Sequence, residues 1–282
     1  MIIRKFAFLF LILFVVFNAG AQRKHTVELI YSHTNLGLTR VNEERELRAN
    51  GIQQNLDNIA DSVLNIFNQN IESKQTINLL GLRLESSIPL DSQQVSTISY
   101  SIGSGIHKAN LQHITNDINI LGYKDQNISV FVNANIDFTY KIKNRFYVQP
   151  IIESWYFLGK ANCVTDLVYG YNHPSFDEQH NNKYNSLLLK GAINFGYTVD
   201  GFNLYVGPMY NFIETTYNIE RTITDLEWDE TTEEIIKYKY NNAYPLSFNL
   251  GCTYSFTPKL SLTVSGNFNK YFSTQTFLSF NF

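Results

Sequence analysis

From residue 127 to the C-terminus, apolar and polar residues alternate with a period of two, segment after segment. Ile128, Val130, Val132, Ala134, Ile136, Phe138, Tyr140 and Ile142 stand against Ser129, Asn133, Asn135, Asp137, Thr139 and Lys141, with Phe131 the one exception. Successive side chains of a strand point to opposite faces, so the pattern predicts a strand with one apolar and one polar face. The same stripe returns as Phe146, Val148, Ile152, Tyr156 and Leu158, then as Leu187, Leu189, Ile193, Phe195, Tyr197 and Val199. Asp200-Gly201 is a favoured two-residue hairpin turn, and Phe202, Leu204, Val206, Tyr210 and Phe212 carry the return. The last three strands are cleanest, running over 241–256, 259–271 and 273–282 with Ser, Thr, Asn and Gly on the polar face.

Counting back from Phe282 gives further strands at about 201–218, 185–199, 145–159, 127–142, 94–104 and 77–87. The total is odd, whereas single-chain barrels have an even number. Thr26 to Leu38, alternating at Val27, Leu29 and Tyr31, supplies a tenth. The expectation is therefore all-β: a closed antiparallel transmembrane β-barrel of about ten strands. The alternative is eight strands starting near Val95, with 22–93 as an appendage. A soluble sandwich fits less well, because its strands are nearer five or six residues and its connections do not alternate between very short (143–144, 200–201, 257–259) and long (160–184, 219–240). Pro150 and Pro208 each remove a ladder donor, which predicts bulges at both. One segment breaks the texture. Ile52, Leu56, Ile59, Val63 and Ile66 recur at steps of four and three, predicting an amphipathic helix inside an insertion at about 41–73.

The N-terminus carries Arg4 and Lys5, an apolar run from Phe6 to Phe17, and small residues at Ala19 and Ala21. That is the layout of a secretory signal cleaved after Ala21, leaving 22–282 as the barrel. After Phe17 no apolar run is long enough for a helical span, so any crossing must be made by strands. Basic and acidic residues number 22 and 25, a net charge of −3. Loss of Arg4 and Lys5 takes this two units further, to −5, which leaves no basic footprint for nucleic acid. Cys163 and Cys252 fall near opposite ends of the strand map and are expected to be free thiols without metal spacing.

The closing strand Phe277-Leu278-Ser279-Phe280-Asn281-Phe282 ends in Phe, with hydrophobics at alternate positions before it. In this the chain resembles the bacterial outer-membrane β-barrel proteins over roughly 77–282. The resemblance implies that Leu278, Phe280 and Phe282 form a signal read by the barrel-assembly machinery. It also implies residence in the cell outer membrane, with membrane lipid and lipopolysaccharide as neighbours. Short connections then lie in the periplasm and long ones outside. Tyr140, Phe146, Tyr197, Phe202, Tyr254 and Phe256 all face outward beside the short turns, as an aromatic girdle would.

Candidate chemistry is sparse. Asp225, Glu227, Asp229, Glu230, Glu233 and Glu234 make 219–240 acidic, but a calcium loop fails because Glu230 stands where Gly is needed and Ile236 where Glu is needed. A solvated surface loop is expected there. Asp166, His173, Asp177 and His180 lie in 160–184, where the ten-stranded omptin proteases carry acidic and His residues, but no omptin motif matches. Catalytic residues, cofactors and metals are therefore not expected. Arg83, Glu85, Asp137, Lys141, Glu153 and Lys190 fall on the polar parity of their strands, where charges must pair or reach water. They are expected to face the lumen. The expected role is structural or surface-interacting, through long loops contacting an extracellular ligand or protein. A narrow porin-like channel is the alternative, and an omptin-like protease a more distant one.

Overall fold

Strand follows strand along the whole described chain. In a computed structural model of the 282-residue protein, residues 24–49, 52–55, 72–93, 95–115, 118–125, 129–142, 145–163, 176–225, 228 and 230–282 are described. They form β1 (Lys24–Ala49), β2 (Ile52–Asn55), β3 (Glu72–Pro89), β4 (Ser96–Thr115), β5 (Ile118–Asp125), β6 (Ser129–Lys141), β7 (Phe146–Cys163), β8 (Phe176–His180), β9 (Lys183–Val199), β10 (Phe202–Asp225), β11 (Glu230–Asn242), β12 (Leu246–Thr257), β13 (Leu260–Phe268) and β14 (Phe272–Asn281). The expected signal segment, 1–21, lies outside the described residues.

Ten of these strands build the wall. β1, β3, β4, β6, β7, β9, β10, β12, β13 and β14 pair antiparallel in that order. β14 returns to β1 from Thr26↔Asn281 to His33↔Thr274. Closure leaves no edge, the only way a sheet satisfies its backbone in lipid. The eight-strand alternative, with 22–93 as an appendage, is thereby overturned, since β1 and β3 are wall strands paired over Lys24–Thr39.

At the end carrying the long connections the wall changes composition. β10 and β11 form a hairpin from Glu214↔Asn241 to Asp225↔Glu230. β11 then pairs β1 from Leu38↔Asn242 to Ala49↔Thr232. Above the β13–β14 turn, β11 thus replaces β12, β13 and β14 between β10 and β1, and β5 takes over from β6 between β4 and β7. A ten-strand barrel continues as an eight-strand collar, narrower because diameter grows with strand number. The expected acidic loop 219–240 is therefore largely paired strand. Residues 41–49 and 52–55, placed in the helical insertion, are also strand: β1 runs on because β11 and β2 offer ladders to its two edges. The rest of the helical stripe, Leu56, Ile59, Val63 and Ile66, lies outside the described residues.

The expected bulges at the prolines do not form. Pairing lapses beside Pro208 but resumes at Met209↔Ala192 in the register of Val206↔Phe195. Beside Pro150 it resumes at Tyr140↔Val148 in the register of Asp137↔Ile151. In each case the strand's other ladder passes through the proline, at Pro208↔Phe248 and Pro150↔Ile193, and holds the register. Register shifts occur instead at Arg40/Asn42, Leu111/Gln112 and Ser255/Thr257. The Asp200-Gly201 turn has φ of 45° and 86°, as the two central positions of a type I′ hairpin require.

The outer surface is a band of exposed apolar side chains, among them Leu82, Leu84, Val132, Ile136, Ile152, Ile193, Phe195, Leu204, Val206, Leu250 and Val264. Water would not tolerate so large a patch, and lipid would. Beside the short turns Phe146 packs on Tyr197 at 4.8 Å, Phe202 on Tyr254 at 4.4 Å, and Tyr254 on Phe256 at 4.9 Å between ring centroids. At the other margin Phe248 and Phe268 are cross-strand partners, and Phe268 meets Phe272 at 4.8 Å. From Phe248 to Phe256 a tilted strand climbs about 20 Å, close to the height of a barrel's lipid-facing band.

Candidate functional site

The barrel interior changes character along its axis. Near the short turns it holds a polar cavity of about 530 Å³, bordered by Ser99, Asn135, Thr139, Asn203, Thr253 and Thr263 among others. Two inward aromatics shape its wall by lying on neighbouring glycines. The ring of Tyr147 covers Gly196 and that of Tyr205 covers Gly251, so closely that a Cβ at either glycine would clash with the ring.

Across the far end of this cavity runs a charged layer. Glu28 on β1 and Arg83 on β3 are cross-strand partners, as are Glu153 on β7 and Lys190 on β9. The two pairs face each other over the lumen. Arg83 Nε donates to Glu28 Oε2, its Nη1 lies 3.5 Å from Glu153 Oε1, and Lys190 Nζ lies 3.2 Å from Glu153 Oε2. All four are buried. Ser279 Oγ donates to the second Glu28 oxygen at 3.0 Å. The Arg83 guanidinium stands 4.5 Å from the Phe277 ring centre, and Lys190 Nζ 5.5 Å from that of Trp155. Alternating charge, with each ion meeting at least one counter-ion, is what makes burial tolerable.

Beyond the layer the inward positions become apolar. Trp155 and Phe157 stack at 6.2 Å with 4° between their planes, and Phe131 meets Trp155 at 5.3 Å. Ile30, Leu38, Ile77, Leu111, Leu188 and Ile213 fill around them, each 1% exposed or less. Phe131 seats against Gly81 and Gly105, and Tyr184 against Gly159. A few polar groups thread this packing in mutual bonds: His107 Nε2 to Tyr184 Oη at 2.5 Å, Gln75 Nε2 donating to Tyr217 Oη at 3.2 Å, and Ser186 to Thr215 at 2.7 Å. The result is an apolar plug made by the wall strands themselves, closing the lumen toward the collar.

Of the six charges read as lumen-facing, the structure joins Arg83, Glu153 and Lys190 in one network. Asp137 accepts from Gln149 Nε2 at 3.0 Å and Glu85 from Ser87 Oγ at 3.4 Å, both beside the cavity. Lys141 sits exposed at its mouth with Arg145. Sequence reading missed Glu28, which lies on the polar parity between Val27 and Leu29. It also missed the plug, although the signal is present: Trp155-Tyr156-Phe157-Leu158 and Leu187-Leu188-Leu189 are apolar on both parities, and Phe131 is an exception to its own strand.

Asp166 and His173 lie outside the described residues, while the backbones of Asp177 and His180 belong to β8, opposite Thr224 and Arg221 of β10. On the terminal strand, Leu278 lies between Leu29 and Leu262, and Phe280 between Val27 and Leu260. The Phe282 N–H closes the seam by donating to the His25 carbonyl at 3.1 Å. Cys252 is a free thiol on the outer face near the short turns, and the Cys163 backbone pairs with Tyr123 at the opposite end.

No known family model matches the chain, and no curated protein matches it. Solved structures that resemble it include the translocator domain of the autotransporter NalP from Neisseria meningitidis, at 9% identity over 94% of this chain and 90% of that one, with a TM-score of 0.43. The outer-membrane protease OmpT from Escherichia coli aligns at 10% identity over 92% and 97%, TM-score 0.43. The outer-membrane protein OprG from Pseudomonas aeruginosa aligns at 10% identity over 93% and 98%, TM-score 0.31. Likeness at this level gives no role, because one barrel architecture hosts unrelated functions.

Proposed function

We propose that this barrel of the outer-membrane kind has a structural or surface-interaction role and does not conduct solutes. One observation supports the reading: the lumen is sealed while the wall is prolonged. The charged layer and the plug behind it occupy the axis a channel would need to keep open. The same strands continue past the lipid band into the collar, where β10 and β11 project as a paired hairpin toward the exposed Trp228. A wall that ends in ordered sheet presents a shaped surface at low ordering cost, which favours recognition over permeation.

The test is planar-bilayer recording of the refolded full-length protein. No stable conductance is expected from the wild type. Ohmic steps that survive shortening of 164–175 would overturn the proposal in favour of a channel. The orientation is tested separately: a protease site inserted at Trp228 should be cut on intact cells, and protection there would reverse the assignment of sides.

A further inference from the structure

The margin of the lipid-facing band is not uniform around the barrel. On β4 the last exposed apolar residue is Ile106, and the next outward position is Lys108. On β7 the last is Leu158, and the next is Lys160. Lys160 stands directly opposite Lys183 of β9. Ile106, Val130 and Leu158 are successive partners across β4, β6 and β7, so they form a continuous apolar strip beneath this edge. Lys108, Lys160 and Lys183 are all exposed, and among the described residues none of their side chains has an ion pair or hydrogen bond.

A like-charge pair placed directly across two strands is destabilising unless something sits between the charges. On the neighbouring sector the wall shows the ordinary solution: Lys239 of β11 meets Glu214 of β10 at 3.1 Å. The β4–β7–β9 sector has no such acid among its described outward side chains. Among the described residues these three unpaired ammonium groups stand just beyond the apolar strip, on the side of the long connections. That arrangement complements a molecule with acyl chains at one end and phosphate at the other.

We propose that Lys108, Lys160 and Lys183 hold the phosphate of an anionic lipid of the outer leaflet, with its acyl chains along Ile106, Val130 and Leu158. The site rests on the lipid-facing band and on the long connections facing outward, and is independent of the closed-lumen reading, so either can fail without the other. Lysines beside an anionic surface contribute to binding individually, and their loss together is read as a fold-change in occupancy.

The experiment uses the full-length protein refolded in phosphatidylcholine bilayers doped with bis-phosphorylated lipid A, with retained lipid quantified by native mass spectrometry. Occupancy should fall on the order of a hundredfold in the Lys108→Gln/Lys160→Gln/Lys183→Gln variant. It should be retained in the triple arginine variant and in Lys259→Gln at the opposite end. Lipid A stripped of phosphate should bind the wild type as weakly as phosphorylated lipid binds the triple glutamine variant. Heat-modifiable gel migration verifies that each variant still closes. Unchanged occupancy in the triple glutamine variant, or equal retention of the phosphate-free lipid, would overturn the proposal. Displacement of the lipid by millimolar inorganic phosphate would also overturn it, by showing a site for free anion.

Discussion

At the level of single residues, the chain is governed by which face a side chain occupies. Replacing Leu250 or Val264 by Lys, both exposed on the lipid side, should cost about 2–4 kcal/mol near mid-strand. Asn249→Lys and Ser265→Lys point into the polar lumen and should cost far less. Urea unfolding of protein refolded in vesicles measures the difference, and equal losses would invalidate the in–out assignment. Inside, Arg83 bridges Glu28 and Glu153. Arg83→Met leaves a buried carboxylate uncompensated, and about 3–5 kcal/mol should be lost. Glu28→Gln in the same background should restore part of it, whereas two additive losses would show that the residues do not act as one network. Gly251→Ala drives a methyl into the Tyr205 ring and should destabilise by about 1–3 kcal/mol, as overpacking does. Tyr205→Leu in the Gly251→Ala background should recover much of that.

At the scale of elements, the turns decide where strands reverse, and one turn is tied by a carboxylate. Asp91, between β3 and β4, accepts the backbone N–H of Val95 at 2.9 Å and of Ser96 at 2.6 Å. These bonds, that from Val95 foremost, hold its carboxyl below the usual carboxylate range. A group whose pKa is depressed by folding lends stability above its unfolded value and loses it as pH falls through the folded one. The Val95 and Ser96 amides should therefore stay protected from hydrogen exchange at neutral pH and lose protection only below the ordinary carboxylate range. Asp91→Ala should abolish both the protection and its pH dependence, and protection that persists in that variant would show that the tie is not made by Asp91. The hairpin at Asp200-Gly201 was readable from its dipeptide. The β10–β11 hairpin was not, because 230–234 is all Glu and Thr and shows no apolar–polar alternation.

For the whole molecule, closure is the central property. Unboiled protein in detergent should migrate differently from boiled protein, as an intact barrel does, and a soluble detergent-free monomer would contradict the fold. Closure passes through the β14–β1 seam, whose last bond is made by the Phe282 N–H. Deleting Phe282 should reduce membrane insertion more than deleting any one residue of 164–175. Normal surface levels in the deletion would remove the basis for reading Leu278, Phe280 and Phe282 as an assembly signal.

Period-two alternation and turn dipeptides led to ten expected wall strands, with eight as the alternative, and set Arg83, Glu153 and Lys190 on the polar parity of their strands. These are local properties, because the pleat assigns each side chain its face whatever the partner strand. What the far side of the lumen presents is not local. Glu28 and Arg83 meet Glu153 and Lys190 only because closure brings β1 and β3 opposite β7 and β9. Trp155, Phe131 and Leu188 become a plug only where several strands turn apolar inward at one level of the axis. The replacement of three strands by β11 depends on a ladder between segments about 200 residues apart, such as Leu38 and Asn242. Such pairing follows from the shear of the closed barrel, and no local pattern of residues encodes it.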